Sequence, residues 1–226
     1  MAEDFCRRAL PAIEKLLLDD LAPGSRVLDL CCGSGQMARA LQTRGYCVTG
    51  LDASPEMLRL AKENAPAAEF CVADARVFHR PARFDAAIST FNSLAHIQAV
   101  EDLTLVFRNV REALRPEGSF LFDLSMEEAY SSRWRGSFAI VAEDHACAVR
   151  PIYDPETRIG TNRVTLFEAN DGSWNRSDFT ITQKCHEECV VRSALGEAGY
   201  HFVQAFDAQR DLGMTGESGR TFFLCR

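Results

Sequence analysis

The chain has 226 residues, of which 46% are hydrophobic and 25% charged, enough apolar material for one large domain or one domain carrying a sizeable insertion. Its formal net charge of −7 repels a phosphate backbone, so nucleic acid is not an expected partner. The first residues lack the basic start and apolar core of a secretory signal, and no apolar run approaches the roughly 18 residues that span a bilayer. Nine cysteines, an odd number without regular spacing, read as reduced thiols, and the expectation is a cytoplasmic protein with no membrane partner.

Taken in chain order, Phe5, Leu10, Ile13, Leu16 and Leu17 fall near helical spacing and predict a helix over 3–20, stopped by Pro23-Gly24. Residues 26–30 (RVLDL) are short, apolar and bounded by turn residues, as a buried strand is. Gly33 to Gly35 then turn the chain into a helix over 37–44, with Gly45 as its stop. A second strand covers 46–51 and ends at Asp52; Ser54 caps the next helix, whose first turn accommodates Pro55 because the missing N–H needs no partner there. A third strand over 68–72 ends near Asp74, and a fourth covers 84–89. A helix over 100–114 lines up Leu103, Val106, Phe107, Val110 and Leu114, is stopped by RPEG at 115–118, and is followed by a fifth strand over 119–123. Strands alternating with helices imply a parallel sheet covered on both faces.

The period changes after about residue 135. Strand-like stretches at 138–149, 158–167 and 174–183 are separated by DPET and NDGS turns, which predicts an antiparallel β insertion. A helix returns over 187–197, and 202–206 with 221–225 form a terminal hairpin closing the sheet. The fold class is therefore α/β: a Rossmann-like doubly wound sheet, mostly parallel, with a C-terminal antiparallel hairpin and the added insertion. The expected division is an N-terminal helix (1–24), an α/β core (25–135), the insertion (136–184), and a helix and hairpin completing the core (185–226).

In an open parallel sheet, ligands bind beyond the carboxyl ends of the strands, where the strand order reverses. Asp29, Asp52, Asp74 and the segment Thr90-Phe91-Asn92 fall at four successive strand ends. Each aspartate alone is as readily a helix cap; four in order along one rim is a stronger pattern. The loop GSGQMA at 33–38 also fits the G-x-G-x-x-A dinucleotide fingerprint, so a nicotinamide-dependent oxidoreductase stays open as an alternative. Against a diphosphate, Asp29 lies within the strand end, where a carboxylate suits an ammonium group. Asp74 suits an exocyclic amine, and the rim as a whole asks for a cationic ligand with a ribose and an amino-bearing base.

These segments carry a resemblance. VLDLCCGSG at 27–35 resembles motif I of class I S-adenosylmethionine-dependent methyltransferases, and GLDASPEML at 50–58, ADA at 73–75, FDAAISTFNSLAH at 84–96 and LRPEGSFLFD at 114–123 resemble the elements that follow it in that family. The resemblance covers about residues 25–125 and implies S-adenosylmethionine as cofactor. It places Asp29, Cys31, Gly33 and Gly35 at the methionine part of the cofactor, and Asp52, with Ala53, at the ribose. Met57 would pack on the adenine or ribose, Asp74 and Ala75 would take the adenine, and Thr90 and Phe91 would lie under the sulfonium. Cys31 stands where the family has glycine, and its side chain fits if the backbone there avoids positive φ.

Methyl transfer from a sulfonium is already activated, so the protein mainly aligns donor and acceptor in a dry pocket. A base is needed only if the acceptor must lose a proton, and His96 is the candidate by position. Asn92, His145 and Tyr153 are candidate substrate contacts, with the insertion as a cover over the acceptor. The expected partner is a small-molecule methyl acceptor at an N, O or C atom; a cofactor-binding module without turnover is a second alternative. The oligomeric state is left open, a homodimer included. The adjacent Cys31-Cys32 fits neither redox nor zinc spacing, CHEEC at 185–189 lacks a second ligand pair, and no metal is expected.

Overall fold

The computed structural model describes residues 2–226. In chain order its elements are α1 (Ala2–Leu16), β1 (Arg26–Leu30), α2 (Gln36–Thr43), β2 (Cys47–Asp52), α3 (Pro55–Asn64), β3 (Glu69–Val72), β4 (Phe84–Ser89), α4 (Val100–Ala113) and β5 (Leu114–Ser125). They continue with α5 (Glu127–Arg133), β6 (Phe138–Val141), β7 (His145–Asp154), β8 (Ile159–Asn170), β9 (Ser173–Lys184), α6 (Glu188–Glu197), β10 (Val203–Asp207) and β11 (Arg220–Cys225). Single 3₁₀ turns occur at Leu18–Asp20 and Ser93–His96.

The main sheet has seven strands in the order β10-β11-β5-β4-β1-β2-β3. β1 pairs in parallel with both β2 and β4, while β11 runs antiparallel to β5 and to β10. The order reverses between β1 and β4, so the chain leaves these neighbours toward opposite sides and opens a crevice above their carboxyl ends. Both faces are buried. Phe120, Phe122, Phe223 and Cys225 face α4 and α6, whereas Leu121, Phe222 and Leu224 face α1 and α2. Strict alternation with two covered faces explains why these strands read as continuous apolar runs, and each such buried side chain contributes roughly 1.5–3 kcal/mol.

Several boundaries differ from the sequence reading. The first helix ends at Leu16 rather than near residue 20, where the chain turns to bury Leu17 and Leu18. β5 starts directly after α4: Leu114 pairs with Phe84 and Ser119 with Ala86, leaving residues 115–118 to bulge out of the ladder. Pro116 has no N–H to lose there, so the apparent turn is an irregular strand. Helix α5 had no counterpart in the sequence periodicity.

The second sheet, β6-β7-β8-β9, is antiparallel throughout. It meets the core at the end where β7 stops and β8 begins. Gly160 lies so close to α5 that a Cβ there would meet Tyr130 at 2.7 Å and Trp134 at 2.8 Å, and Tyr153 packs on Tyr130 with ring centroids 5.2 Å apart.

Gly35 illustrates how the core fixes the loop after β1. Its φ is +81°, and a Cβ at that position would lie 2.9 Å from the Ala61 Cα of α3. Gly35→Ala combines left-handed backbone strain with overpacking against a neighbouring backbone, so urea unfolding should show a loss of about 2–4 kcal/mol.

Candidate active site

Two cavities meet above the β1/β4 crevice. One, of about 230 Å³, is lined by Asp29, Cys31, Gly33, Thr90 and Phe91, with Phe5 of α1 closing it. The other, of about 470 Å³, is lined by Ala53, Asp74, Ala75, His96 and Ile97. Cys31 and Ser93 border both, so together they form one cleft along the strand ends.

Asp29 is 1% exposed, and its Oδ2 has no hydrogen-bond partner. Burial pushes its carboxyl up to about 7, opposed by a hydrogen bond from the Ala38 amide. A buried, unpartnered acceptor facing a cavity suits a donor that arrives with a ligand, and an ammonium group supplies both donors and charge. Asp52 takes the Gly33 amide on one oxygen at 2.8 Å and the Ser54 amide on the other at 2.9 Å. Each oxygen keeps a lone pair, enough for two neighbouring hydroxyls. Asp52 thereby also shapes the glycine loop. These groups fit S-adenosylmethionine at both its amino-acid and its ribose end.

Asp74 is already engaged. Arg76 donates to it from Nε at 3.0 Å and from NH2 at 2.6 Å, and reaches Asp102 at 3.1 Å with NH1. This pairing holds the Asp74 carboxyl below its ordinary value. A purine amine reaching that carboxylate must share it with, or displace, an exposed guanidinium. Ala53 and Ala75 line the same cavity, whereas Met57 lines the cavity of Asp29.

Cys31 corrects the expectation about its backbone: its φ is +58°, the left-handed region that a glycine enters freely. The chain accepts this because the strand end, the Cys32 amide bonded to the Leu51 carbonyl at 3.0 Å and the turn to Gly35 fix the path on both sides. Burial raises the Cys31 thiol to about 12, with Asp52, Asp29 and Asp74 adding to the shift, so it stays protonated.

Phe91 and Asn92 also have positive φ, +66° and +61°. The Asp123 carboxylate accepts from the Phe91 amide at 2.7 Å and from the Asn92 amide at 3.0 Å. Phe91 is 42% exposed in the cavity and lies 5.0 Å from the Phe5 ring. Asn92 does not offer its side chain to a substrate: Oδ1 accepts from the Ser125 amide at 2.7 Å, and Nδ2 donates to Gln183 at 3.0 Å and to the Tyr130 hydroxyl at 3.3 Å.

His96 is likewise committed. A carbonyl can only accept, so the contact of Nδ1 with the Thr182 oxygen at 3.2 Å fixes the proton on Nδ1. Nε2 then accepts from the Gln183 amide nitrogen at 3.2 Å, an orientation required because Gln183 Oε1 already receives Asn92 and Tyr130. Burial pulls the imidazole below its ordinary pKa, consistent with the neutral form. His96 therefore ties the cleft to the second sheet and has no free nitrogen to act as a base in this arrangement. Tyr153 donates to Glu127 at 2.6 Å at the base of that sheet. His145 lies at the other end of β7, eight residues away and about 26 Å along an extended strand, hydrogen-bonded to Asp144, and does not join the site.

Sequence reasoning missed Phe5, which reads as a core residue of an amphipathic helix, and the Asp123–Arg220 pair. Asp123 lies close to the end of its strand, as the other three aspartates do, a signal that was available; the partner Arg220 lies 97 residues away.

Residues 27–118 match the family model of the methyltransferase domain. Over that stretch the chain is similar to methyltransferase domains. A Bacillus subtilis (strain 168) relative, YqeM, named provisionally as a methyltransferase, is 27% identical over 203 residues, 88% of this chain and 82% of its own. Among solved structures, an S-adenosylmethionine-dependent methyltransferase from Clostridium acetobutylicum has a TM-score of 0.81 at 18% identity, covering 97% of this chain and 90% of that one. The S-adenosylmethionine-bound amino pentose methyltransferase CalS10 from Micromonospora echinaspora has a TM-score of 0.74 at 18% identity, covering 100% of this chain and 91% of that one. The match to the full chain extends the shared fold to the second sheet. These likenesses favour S-adenosylmethionine over a nicotinamide cofactor for the cleft.

The state of Asp29 gives a test on the apoprotein. Its folded-state pKa near 7 lies above the ordinary carboxyl value, so its favourable contribution is full below about pH 4 and is lost as pH rises through about 7. Urea unfolding from pH 4 to 8 should show the wild type losing up to ~4 kcal/mol relative to Asp29→Asn; parallel pH profiles would contradict the assignment.

Proposed function

We propose that the chain transfers the methyl group of S-adenosylmethionine to a nucleophilic atom of a small organic acceptor. The observation that carries the reading is the strand-end carboxylate set, with the Asp29 Oδ2 unpartnered and Asp52 holding spare lone pairs on both oxygens. In this reading Asp29 with the Gly33–Gly35 loop binds the amino-acid end and Asp52 the ribose. Asp74, shared with Arg76, and Ala75 receive the adenine edge. Ala53 borders the adenine-side cavity, Cys31 joins the two halves of the cleft, and Met57 packs on the ribose from α3.

The bound cofactor supplies an electrophilic methyl on a sulfonium, so the chain's own task is alignment and exclusion of water. Thr90 and Phe91 form the floor at the methyl, and Phe5 closes the cavity from α1. Both nitrogens of His96 are engaged, which supports an acceptor atom that presents its lone pair without needing that imidazole as a base, such as a neutral amine. The sheet of β6–β9 stands beside the cleft, attached through Gln183 and Thr182, and we assign to it the acceptor side of the pocket. A cytoplasmic setting and residues 136–184 as a cover belong to the same reading.

Calorimetry with S-adenosylhomocysteine and, separately, NAD tests the proposal. Binding of the first and not the second is expected, followed by cofactor consumption with a member of an amine, phenol and sugar panel. In Asp52→Ala, S-adenosylhomocysteine affinity should fall by roughly 1.5–3 kcal/mol, the scale of charge-assisted hydrogen bonds. Unchanged affinity would remove the ribose assignment.

A further inference from the structure

We propose that Asp123 and Arg220 are positioning residues for the cofactor, acting on it through Phe91 and Phe5 without touching it. The inference rests on the cofactor assignment above. Neither residue lines the cleft, and both are buried, with Asp123 0% and Arg220 7% exposed.

The geometry places charge one layer behind an aromatic wall. Each oxygen of Asp123 accepts from one of two consecutive amides, Phe91 and Asn92, both left-handed and neither a glycine. An isolated loop of such residues relaxes to negative φ. Asp123 supplies what opposes that relaxation, and so decides where the Phe91 ring sits. Arg220 forms an ion pair with the same carboxylate, and its guanidinium lies 4.6 Å from the centroid of the Phe5 ring, which in turn packs on Phe91.

The network continues outward. Arg220 Nε donates to Glu217 at 2.8 Å, and Glu217 also pairs with Arg8 of α1 at 2.7 Å and Arg133 of α5 at 3.2 Å. One ionic cluster thus holds the loop under the methyl group, the helix that closes the cavity and the helix that carries the second sheet. A role confined to stability needs only volume in these positions, because buried ion pairs are often replaceable by apolar groups. The amide-binding geometry requires the carboxylate.

The test compares the full-length wild type with Asp123→Asn, Arg220→Met and the double variant, which has no unpaired buried charge. Three quantities are read: the melting midpoint, hydrogen exchange at the Phe91 and Asn92 amides, and the Kd for S-adenosylhomocysteine by calorimetry. The double variant should recover the melting midpoint lost in the Arg220→Met single variant. It should still bind at least tenfold more weakly, with exchange at the two amides at least tenfold faster than in the wild type. Affinity that returns together with stability would overturn the proposal, as would slow exchange at both amides in the double variant. A wild type that binds no S-adenosylhomocysteine while protecting both amides would overturn it through the cofactor assignment, a separable result.

Discussion

The cleft depends on one repeated interaction: a carboxylate at the end of a strand accepts hydrogen bonds from backbone amides of a loop beside it. Asp52 does this for Gly33 and Ser54, Asp123 for Phe91 and Asn92, and Asp74 for Arg76. Loops leaving a parallel sheet have amide donors that no ladder satisfies, and a short acidic side chain within two residues of the strand end is well placed to take them. The loops that result are held in conformations their residues would not choose, as Cys31, Phe91 and Asn92 show. In the proposed function, ligand binding uses acceptor capacity left over after the backbone has been satisfied.

This division of labour separates the four carboxylates. Asp29 is almost fully withdrawn from water and has an unpartnered oxygen, so its charge is unfavourable until a cation arrives. Asp123 is as deeply buried, and burial holds its carboxyl above the ordinary value, but its oxygens are already taken up by Arg220 and two amides, which leaves it a structural group rather than a ligand. Asp74 is half-exposed and shares its charge with Arg76, the arrangement most easily exchanged for another donor.

The rim was legible in the sequence because its grammar is local: an apolar run, an aspartate, a turn and a capped helix repeat within short windows. The parallel sheet followed from that alternation, and the second sheet from the change to a two-residue period. What was not legible is set by distant partners. Nothing near Phe5 indicates that it meets Phe91, and nothing near Asp123 points to Arg220. His96 and Asn92 looked free because their partner, Gln183, lies at the far end of the insertion sequence. His145 and Tyr153 share a strand, yet only Tyr153 lies at the end that meets the core. Cys31 shows the converse case, a residue whose neighbours outweigh its own conformational preference.

A crystal structure with bound S-adenosylhomocysteine tests the central claim most directly. The account predicts the ribose hydroxyls on Asp52, the amino group on Asp29, and the thioether sulfur against Thr90 and Phe91, with Asp123 still bonded to both loop amides. A ligand seated elsewhere, or a ribose that does not reach Asp52, would contradict it.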